Sequence, residues 1–240
     1  MLGEASMDNK RYFVDFGPEL LQLLGPNLYT NIYYVLGEII ANAYDADAQN
    51  VYILYDTDKN TIIVEDDGTG MTYDQFNSRF LPIGITSRDN ADNTYTESGT
   101  RKRMGRKGIG KLAALSVAER VKVISVRDGD KSGCILSLNI SNKNADGKYE
   151  IPAIPDDQIN FLKIDETKSG SAIIMENSRY SINKTIDSAK RNISLIFPFA
   201  CQTFKIHLEN LTTGATATID DTTMDIVKLS DALLTFSDED

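Results

Sequence analysis

The chain has 240 residues, of which 41% are hydrophobic, and its formal net charge is -10. This length suits one large domain, or one domain with an appended element. The acidic balance argues against a domain that coats nucleic acid over its whole surface, but it allows a local basic patch. The sequence contains no apolar run of eighteen residues and therefore predicts no membrane-spanning helix.

The sequence also indicates a compartment. The first ten residues, MLGEASMDNK, lack the basic start and the long apolar stretch of a secretory signal. The two cysteines, Cys134 and Cys201, are far apart and each lies in an apolar stretch. Buried free thiols in a reducing compartment are the simplest interpretation, and we expect a cytoplasmic protein.

The first predicted element is a helix over residues 31–48. Glu38, Asn42 and Asp45 are spaced i, i+4 and i+7, so they share one face, while apolar residues occupy the other. An amide oxygen such as that of Asn42 is a hard ligand that suits Mg²⁺. A carboxylate one turn earlier could take a proton from a water aimed at a phosphate. An ordinary solvated face is the alternative interpretation.

Two strands around a polar turn are predicted next, over residues 51–55 and 61–65. The second strand ends in Asp66, and Gly68 and Gly70 follow. Glycines directly after a strand let a ligand approach the backbone, and a carboxylate there can accept a hydrogen bond from an exocyclic amine such as that of adenine. We expect the neighbouring Asp67 to point the other way. A common Asp-Gly turn is the alternative.

The remaining elements predict an α+β sandwich with helices on one face of a mixed sheet. A short helix is expected over residues 73–80, and a long polar stretch, functional or disordered, over residues 86–103. Further helices are predicted over residues 111–118 and 183–195. Further strands are predicted over residues 121–127, 133–140, 171–176, 204–208 and 217–219.

A glycine-rich loop precedes the helix predicted at residue 111. It combines three glycines with three basic residues: Gly105, Arg106, Lys107, Gly108, Ile109, Gly110 and Lys111. Its pattern G-x-x-G-x-G leads into a helix, whose N-terminal amides and dipole favour phosphate. The loop also fits G-x-x-x-x-G-K, but Leu112 stands where Mg²⁺ binding in that ATPase class needs Ser or Thr. A flexible surface loop is the alternative.

These motifs, followed by GSAI at residues 170–173, resemble in order and spacing the GHKL, or Bergerat-fold, ATPases. That superfamily includes gyrase B, MutL, the ninety-kilodalton heat-shock chaperones, MORC proteins and sensor histidine kinases. The resemblance covers roughly residues 28–176. It implies a two-layer α/β sandwich with a mixed, mostly antiparallel sheet, helices on one face and a long ATP lid.

At the phosphate end, the resemblance implies that Glu38 is the general base and that Asn42 binds Mg²⁺. Asp45 matches a pocket residue near the nucleotide. The glycine-rich loop matches the phosphate-binding hinge of the lid, where Lys111 can contact a phosphate. Residues 83–90, IGITSRDN, resemble the start of the lid.

At the adenine end, the resemblance implies that Asp66 binds the base, in a glycine box that includes Gly68. Gly70 and Met71 match residues that line the base. Ser171 matches the hydroxyl residue that joins Asp66 in water-mediated adenine binding, although relatives often have Thr there.

The resemblance therefore implies Mg²⁺-dependent ATP binding and slow hydrolysis, which drive lid closure and pairing of two N-terminal domains. The nearest types are MutL, MORC and the heat-shock chaperones, since a histidine kinase needs a His upstream and the only one here is His207. Two alternatives stay open. One is a non-hydrolysing ATP-binding switch or scaffold, and the other is a nucleic-acid-associated module that rests on the basic cluster at residues 101–107.

The domain organisation follows from the same comparison. We expect residues 1–180 to form the ATP-binding domain, with the lid at about 82–110, and residues 181–240 to extend it or begin another domain. The chain is expected to be an N-terminal fragment of a longer protein with further domains or a client. We expect an ATP-dependent homodimer, no membrane contact, and nucleic-acid contact only through other regions.

Overall fold

A computed structural model describes residues 10–14, 29, 31–82, 94–104, 113–138, 143–165, 168–182, 185–198, 200 and 202–221. The strands are β1 Tyr12–Val14, β2 Asn50–Asp56, β3 Thr61–Asp66, β4 Arg120–Arg127, β5 Asp130–Ser137, β6 Tyr149–Ile151, β7 Gly170–Glu176, β8 Lys205–Asn210 and β9 Thr216–Ile219. The helices are α1 Ile32–Asp45, α2 Tyr73–Gln75, α3 Ala113–Val117 and α4 Ile186–Ile196. A π-helix, Phe76–Phe80, continues α2, and a 3-10 turn spans Asp156–Gln158.

Seven of the strands form one sheet in the order β5-β4-β7-β3-β2-β8-β9. Every neighbouring pair is antiparallel except β2 and β8, which run parallel. β1 and β6 form a separate antiparallel pair. The predicted α+β fold with a mixed, mostly antiparallel sheet is therefore confirmed. β8 and β9 belong to this sheet, and α4 packs into the same core.

Helix α1 supplies the largest share of the helical layer. Its start is capped by Asn31, whose side-chain oxygen accepts a hydrogen bond from the Tyr33 amide at 2.9 Å. Its apolar positions recur at helical spacing, so one side of the helix is buried against the sheet. The buried residues are Ile32, Tyr33, Val35, Leu36, Ile39, Ile40 and Ala43. Each large apolar side chain buried there contributes about 1.5–3 kcal/mol.

The opposite face of the sheet is covered by the chain that follows β6. Ile154, Ile159 and Phe161 pack there against Ile124 and other side chains of the sheet. The buried carboxylate of Glu65 accepts hydrogen bonds from the amides of Leu162, at 2.8 Å, and the next residue, at 2.9 Å. Because these bonds satisfy its charge, Glu65 fastens this segment to β3.

The second half of the predicted polar stretch forms a short hairpin over residues 94–104. A β-bridge joins Tyr95 and Lys102, and the Thr96 amide donates to the Arg101 carbonyl at 2.8 Å. The sequence predicted only a loop there, because such short strands show no hydrophobic period. Residues 83–93, which include most of the predicted start of the lid, lie outside the described residues.

Arg101 docks this hairpin on the rest of the chain. Its guanidinium donates to the carbonyl of Ala48 at 2.6 Å and to that of Thr203 at 2.7 Å. It also lies over the rings of Tyr44 and Phe204, at 4.8 and 5.4 Å from their centroids. One side chain therefore joins the hairpin, the end of α1 and the approach to β8.

Replacing Arg101 should release the hairpin. Arg101→Ala removes both carbonyl contacts and both stacked rings, so we expect faster amide exchange over residues 94–104 and a loss of about 1–3 kcal/mol in unfolding free energy. Arg101→Lys keeps the charge but not the planar fork, and should recover only part of this. Hydrogen exchange measures the amide exchange rates, and urea unfolding measures the free energy of unfolding. Unchanged exchange in the alanine variant would contradict the role of Arg101 in docking the hairpin.

Candidate functional site

Three polar side chains lie side by side across the sheet. Asp66 on β3 pairs with Ser171 on β7, which pairs with Ser125 on β4. The hydroxyls of the two serines are 3.0 Å apart, and Ser125 Oγ accepts a hydrogen bond from the Met71 amide at 2.8 Å. This row faces the helical layer, because alternate residues of each strand, such as Val64, belong to the core beneath the helices.

Ser125 was not among the residues predicted from the sequence. It is completely buried, in the middle of an apolar strand, where a serine carries no motif of its own. Its hydroxyl also donates to the Gly170 carbonyl at 3.3 Å. Ser125 therefore connects the chain after β3, at Met71, to the start of β7.

The Asp66 carboxyl is in an unusual electrostatic environment. Desolvation by the surrounding groups raises its pKa to about 7, and the charges of Asp67 and Glu65 act in the same direction. A hydrogen bond from the Gly68 amide to Asp66 Oδ1, at 3.0 Å, opposes this rise. The carboxyl is thus desolvated, although the residue as a whole is only partly buried. Perturbed pKa values of this kind cluster at functional sites.

The two glycines after Asp66 are required by close contacts within the chain. A Cβ on Gly70, whose φ is +61°, would lie 2.0 Å from the Val126 carbonyl oxygen. A Cβ on Gly68 would lie 2.7 Å from the Ala46 carbonyl oxygen, which also accepts the Thr69 amide at 2.8 Å. The sequence suggested glycines that admit a ligand, and the structure adds that Gly68 lets the end of β3 meet the end of α1 while Gly70 lets the chain after β3 pass close to β4.

Asp67 points away from this row. Its carboxylate accepts hydrogen bonds from the amides of Gln49 and Asn50, both at 2.7 Å, and from the Asn50 side chain at 2.8 Å. It thereby closes the connection between α1 and β2. Of the two adjacent aspartates, Asp66 is therefore the one that lies in the polar row.

On α1, the three predicted residues have different surroundings. Glu38 is partly exposed and accepts a hydrogen bond from the Tyr29 hydroxyl at 3.2 Å. Asn42 is exposed. Asp45 Oδ1 accepts the Met104 amide at 2.7 Å, so Asp45 holds the end of the hairpin.

The predicted phosphate loop is the glycine-rich segment that follows Met104. All seven of its residues lie outside the described part of the chain: Gly105, Arg106, Lys107, Gly108, Ile109, Gly110 and Lys111. Met104, the residue directly before the loop, is described and is held by Asp45.

The described residues also carry information on metal binding and membrane spans. They contain no group of three or more His, Cys, Asp or Glu side chains that could hold a metal ion. Mg²⁺ does not require such a group, because it keeps several waters and is often bound through one or two protein ligands and substrate phosphates. None of the helices in the described ranges is long and apolar enough to cross a membrane.

The mixed, mostly antiparallel sheet with helices on one face is the fold of a GHKL-type ATPase domain. The family model for histidine kinase-, DNA gyrase B- and HSP90-like ATPases matches residues 29–171, more than half of the chain. The chain belongs to this family, and its membership supports ATP binding.

Individual relatives span the same region. The chain is 31% identical over 194 residues to a putative type II restriction enzyme, HgiDII, of Herpetosiphon aurantiacus, covering 80% of the chain and 30% of that protein. It is 27% identical over 195 residues to the chaperone protein HtpG of Vesicomyosocius okutanii, covering 70% and 31%. With HtpG of Campylobacter jejuni, 28% identity extends over 178 residues, covering 61% and 29%. The chain thus spans about a third of the length of these curated relatives.

Asp66 should make stability depend on pH. Its pKa is about 7 in the folded chain and about 3.9 unfolded, so the folded state binds more protons between these values and loses stability as pH rises through that window. Asp66→Asn removes this loss. Between pH 4.5 and pH 8, the free energy of unfolding of the variant should therefore rise by more than about 1 kcal/mol relative to that of the parent.

Urea unfolding at several pH values measures this difference. The control is Asp157→Asn, in which an exposed aspartate is changed in the same way. A constant difference between Asp66→Asn and the parent across the whole range would show that the Asp66 carboxyl is not desolvated.

Proposed function

We propose that this domain is a slow Mg²⁺-dependent ATPase that converts ATP and water into ADP and phosphate. The observation that carries the proposal is the row of Asp66, Ser171 and Ser125, located where the end of β3 meets the end of α1. α1 also carries Glu38 and Asn42, which supply a carboxylate and an amide one turn apart.

The row suits adenine. An exocyclic amine can donate to the Asp66 carboxylate, which favours the charged form of a group that the free protein holds partly protonated at neutral pH. Ser171 is partly exposed and can hold a bridging water. We assign Gly68, Gly70 and Met71 to this side of the base as well, because they follow Asp66 directly along the chain.

The exposed face of α1 suits the triphosphate. Asn42 offers one amide oxygen to Mg²⁺, which supplies charge neutralisation on the phosphates when bound. Glu38 lies one turn earlier and can orient a water and accept its proton. We assign the phosphates to the glycine-rich loop, with Lys111 as a phosphate contact, on the basis of its sequence pattern. Asp45 acts by holding Met104, directly before that loop.

Substitutions should separate binding from chemistry. Glu38→Ala should retain ATP affinity and lose about 10²–10⁴-fold in hydrolysis, because a general base contacts the water rather than the ground-state nucleotide. Asn42→Ala should also lose the Mg²⁺-dependent part of affinity, and Asp66→Asn should lose nucleotide binding. Calorimetry and single-turnover phosphate release give the two quantities for each variant.

The outcomes distinguish the candidate functions. Asp157→Asn is the control and should match the parent in both measurements. If Glu38→Ala hydrolyses ATP at the parent rate, the base is another group and the mechanism is wrong. If the parent chain binds ATP without turnover, a non-hydrolysing switch or scaffold is the better description.

We also propose that ATP closes the lid and pairs two copies of the domain. A non-hydrolysable ATP analogue, but not ADP, should raise the mass measured by sedimentation to that of a dimer and slow amide exchange over residues 86–103. A monomer at all protein concentrations, with equal exchange in both nucleotide states, would contradict this. We propose that an apolar segment, residues 16–24, contacts the second copy. This segment lies outside the described residues.

The setting of the domain is part of the same proposal. The relatives are about three times as long as the matched region, so we propose that further domains couple the ATPase to a client. Any nucleic-acid contact, as the name of the putative restriction enzyme suggests for that protein, would then lie in other regions. A cytoplasmic location is proposed from the cysteine content.

A further inference from the structure

The carboxylate of Glu38 has a partner that no sequence motif indicated. Tyr29 precedes it by nine residues and donates its hydroxyl to Glu38 Oε1 at 3.2 Å. The ring of Tyr29 is partly buried and packs against the main core. The hydroxyl therefore comes from a side chain that the core holds in place, and it reaches the exposed face of α1.

This contact restricts a side chain that would otherwise be mobile. A partly exposed glutamate has three rotatable side-chain bonds and samples several rotamers. Among the described residues, Tyr29 is the hydrogen-bond partner of the Glu38 carboxylate. Within the described residues this bond is made to Oε1 and none is found to Oε2, so Oε2 can accept a hydrogen bond from a water molecule.

We propose that Tyr29 is a positioning residue for ATP hydrolysis, which holds Glu38 Oε1 so that Oε2 accepts the proton of the attacking water. This inference rests on the proposed role of Glu38 as the base. The phenol is suited to the task because it is a neutral donor, which orients the carboxylate without cancelling its charge. Burial, with the adjacent charge of Glu38, raises the pKa of Tyr29, so the hydroxyl keeps its proton at neutral pH.

Tyr29→Phe tests the proposal because it keeps the packed ring and removes only the donor. We expect single-turnover hydrolysis to fall about 10-fold, as expected for one lost hydrogen bond to a charged group. ATP affinity should stay within about 2-fold of the parent value. Tyr52→Phe, which changes a tyrosine packed on the opposite face of the sheet from α1, is the matched control and should change neither quantity.

A double variant tests whether Tyr29 acts through Glu38. If it does, Tyr29→Phe in a Glu38→Ala background should cause no further loss, since the two substitutions remove one function. Additive losses, or equal losses of affinity and rate in Tyr29→Phe, would overturn the proposal in favour of a structural role. A parent-like rate in Tyr29→Phe would also overturn it.

These outcomes are separable from failure of the proposed function. If Glu38→Ala retains hydrolysis, the assignment of the base fails first. If Glu38→Ala is inactive while Tyr29→Phe is fully active, only the present inference fails.

A spectroscopic readout avoids reliance on activity or on folding of the phenylalanine variant. A 3-fluorotyrosine placed at position 29 should change its ¹⁹F chemical shift when Glu38→Ala is introduced, and an unchanged shift would overturn the contact.

Discussion

The pairing register of β3 with β7, and of β7 with β4, is the constraint on which the site depends. It aligns Asp66, Ser171 and Ser125 across three strands. Side chains alternate between the faces of a sheet, so a slip of one residue in β3 would turn Asp66 away from α1. It would also remove Glu65 from the amides of the segment on the opposite face. The two adjacent acids therefore enforce the same register from opposite sides.

The end of β3 shows how function and folding compete for the same few residues. Gly68 and Gly70 have no room for a side chain, and Asp67 is used to close the connection between α1 and β2. Asp66 alone is left with a desolvated carboxyl whose pKa is raised. Such a destabilising group is typical of a ligand-binding position, where stability is given up for function.

The sequence was informative where structure has a period or a motif. The helix at α1, the strands β2, β3, β4 and β7 and the choice of Asp66 over Asp67 all followed from alternation, helical spacing or strand ends. The α+β class followed from the same pattern. Ser125 was missed because its importance comes from its neighbours on other strands, and the contact of Tyr29 with Glu38 because the two residues belong to no common motif.

The hairpin at residues 94–104 was missed for a related reason. Its strands are too short to show alternation, and Arg101 looks like one more charge in a basic cluster. The partners of Arg101 are far away in sequence, at Ala48 and Thr203, so only the folded chain reveals that it is docked rather than solvated.

The same arginine has a mechanical consequence. Because Arg101 bonds to carbonyls at the end of α1 and just before β8, the hairpin cannot move as a unit without breaking its bond at one of these two places. β8 pairs in parallel with β2 and begins beside the loop that follows α1. A displacement of the hairpin would therefore pull on the edge of the sheet formed by β8 and β9, far along the chain from Arg101 itself.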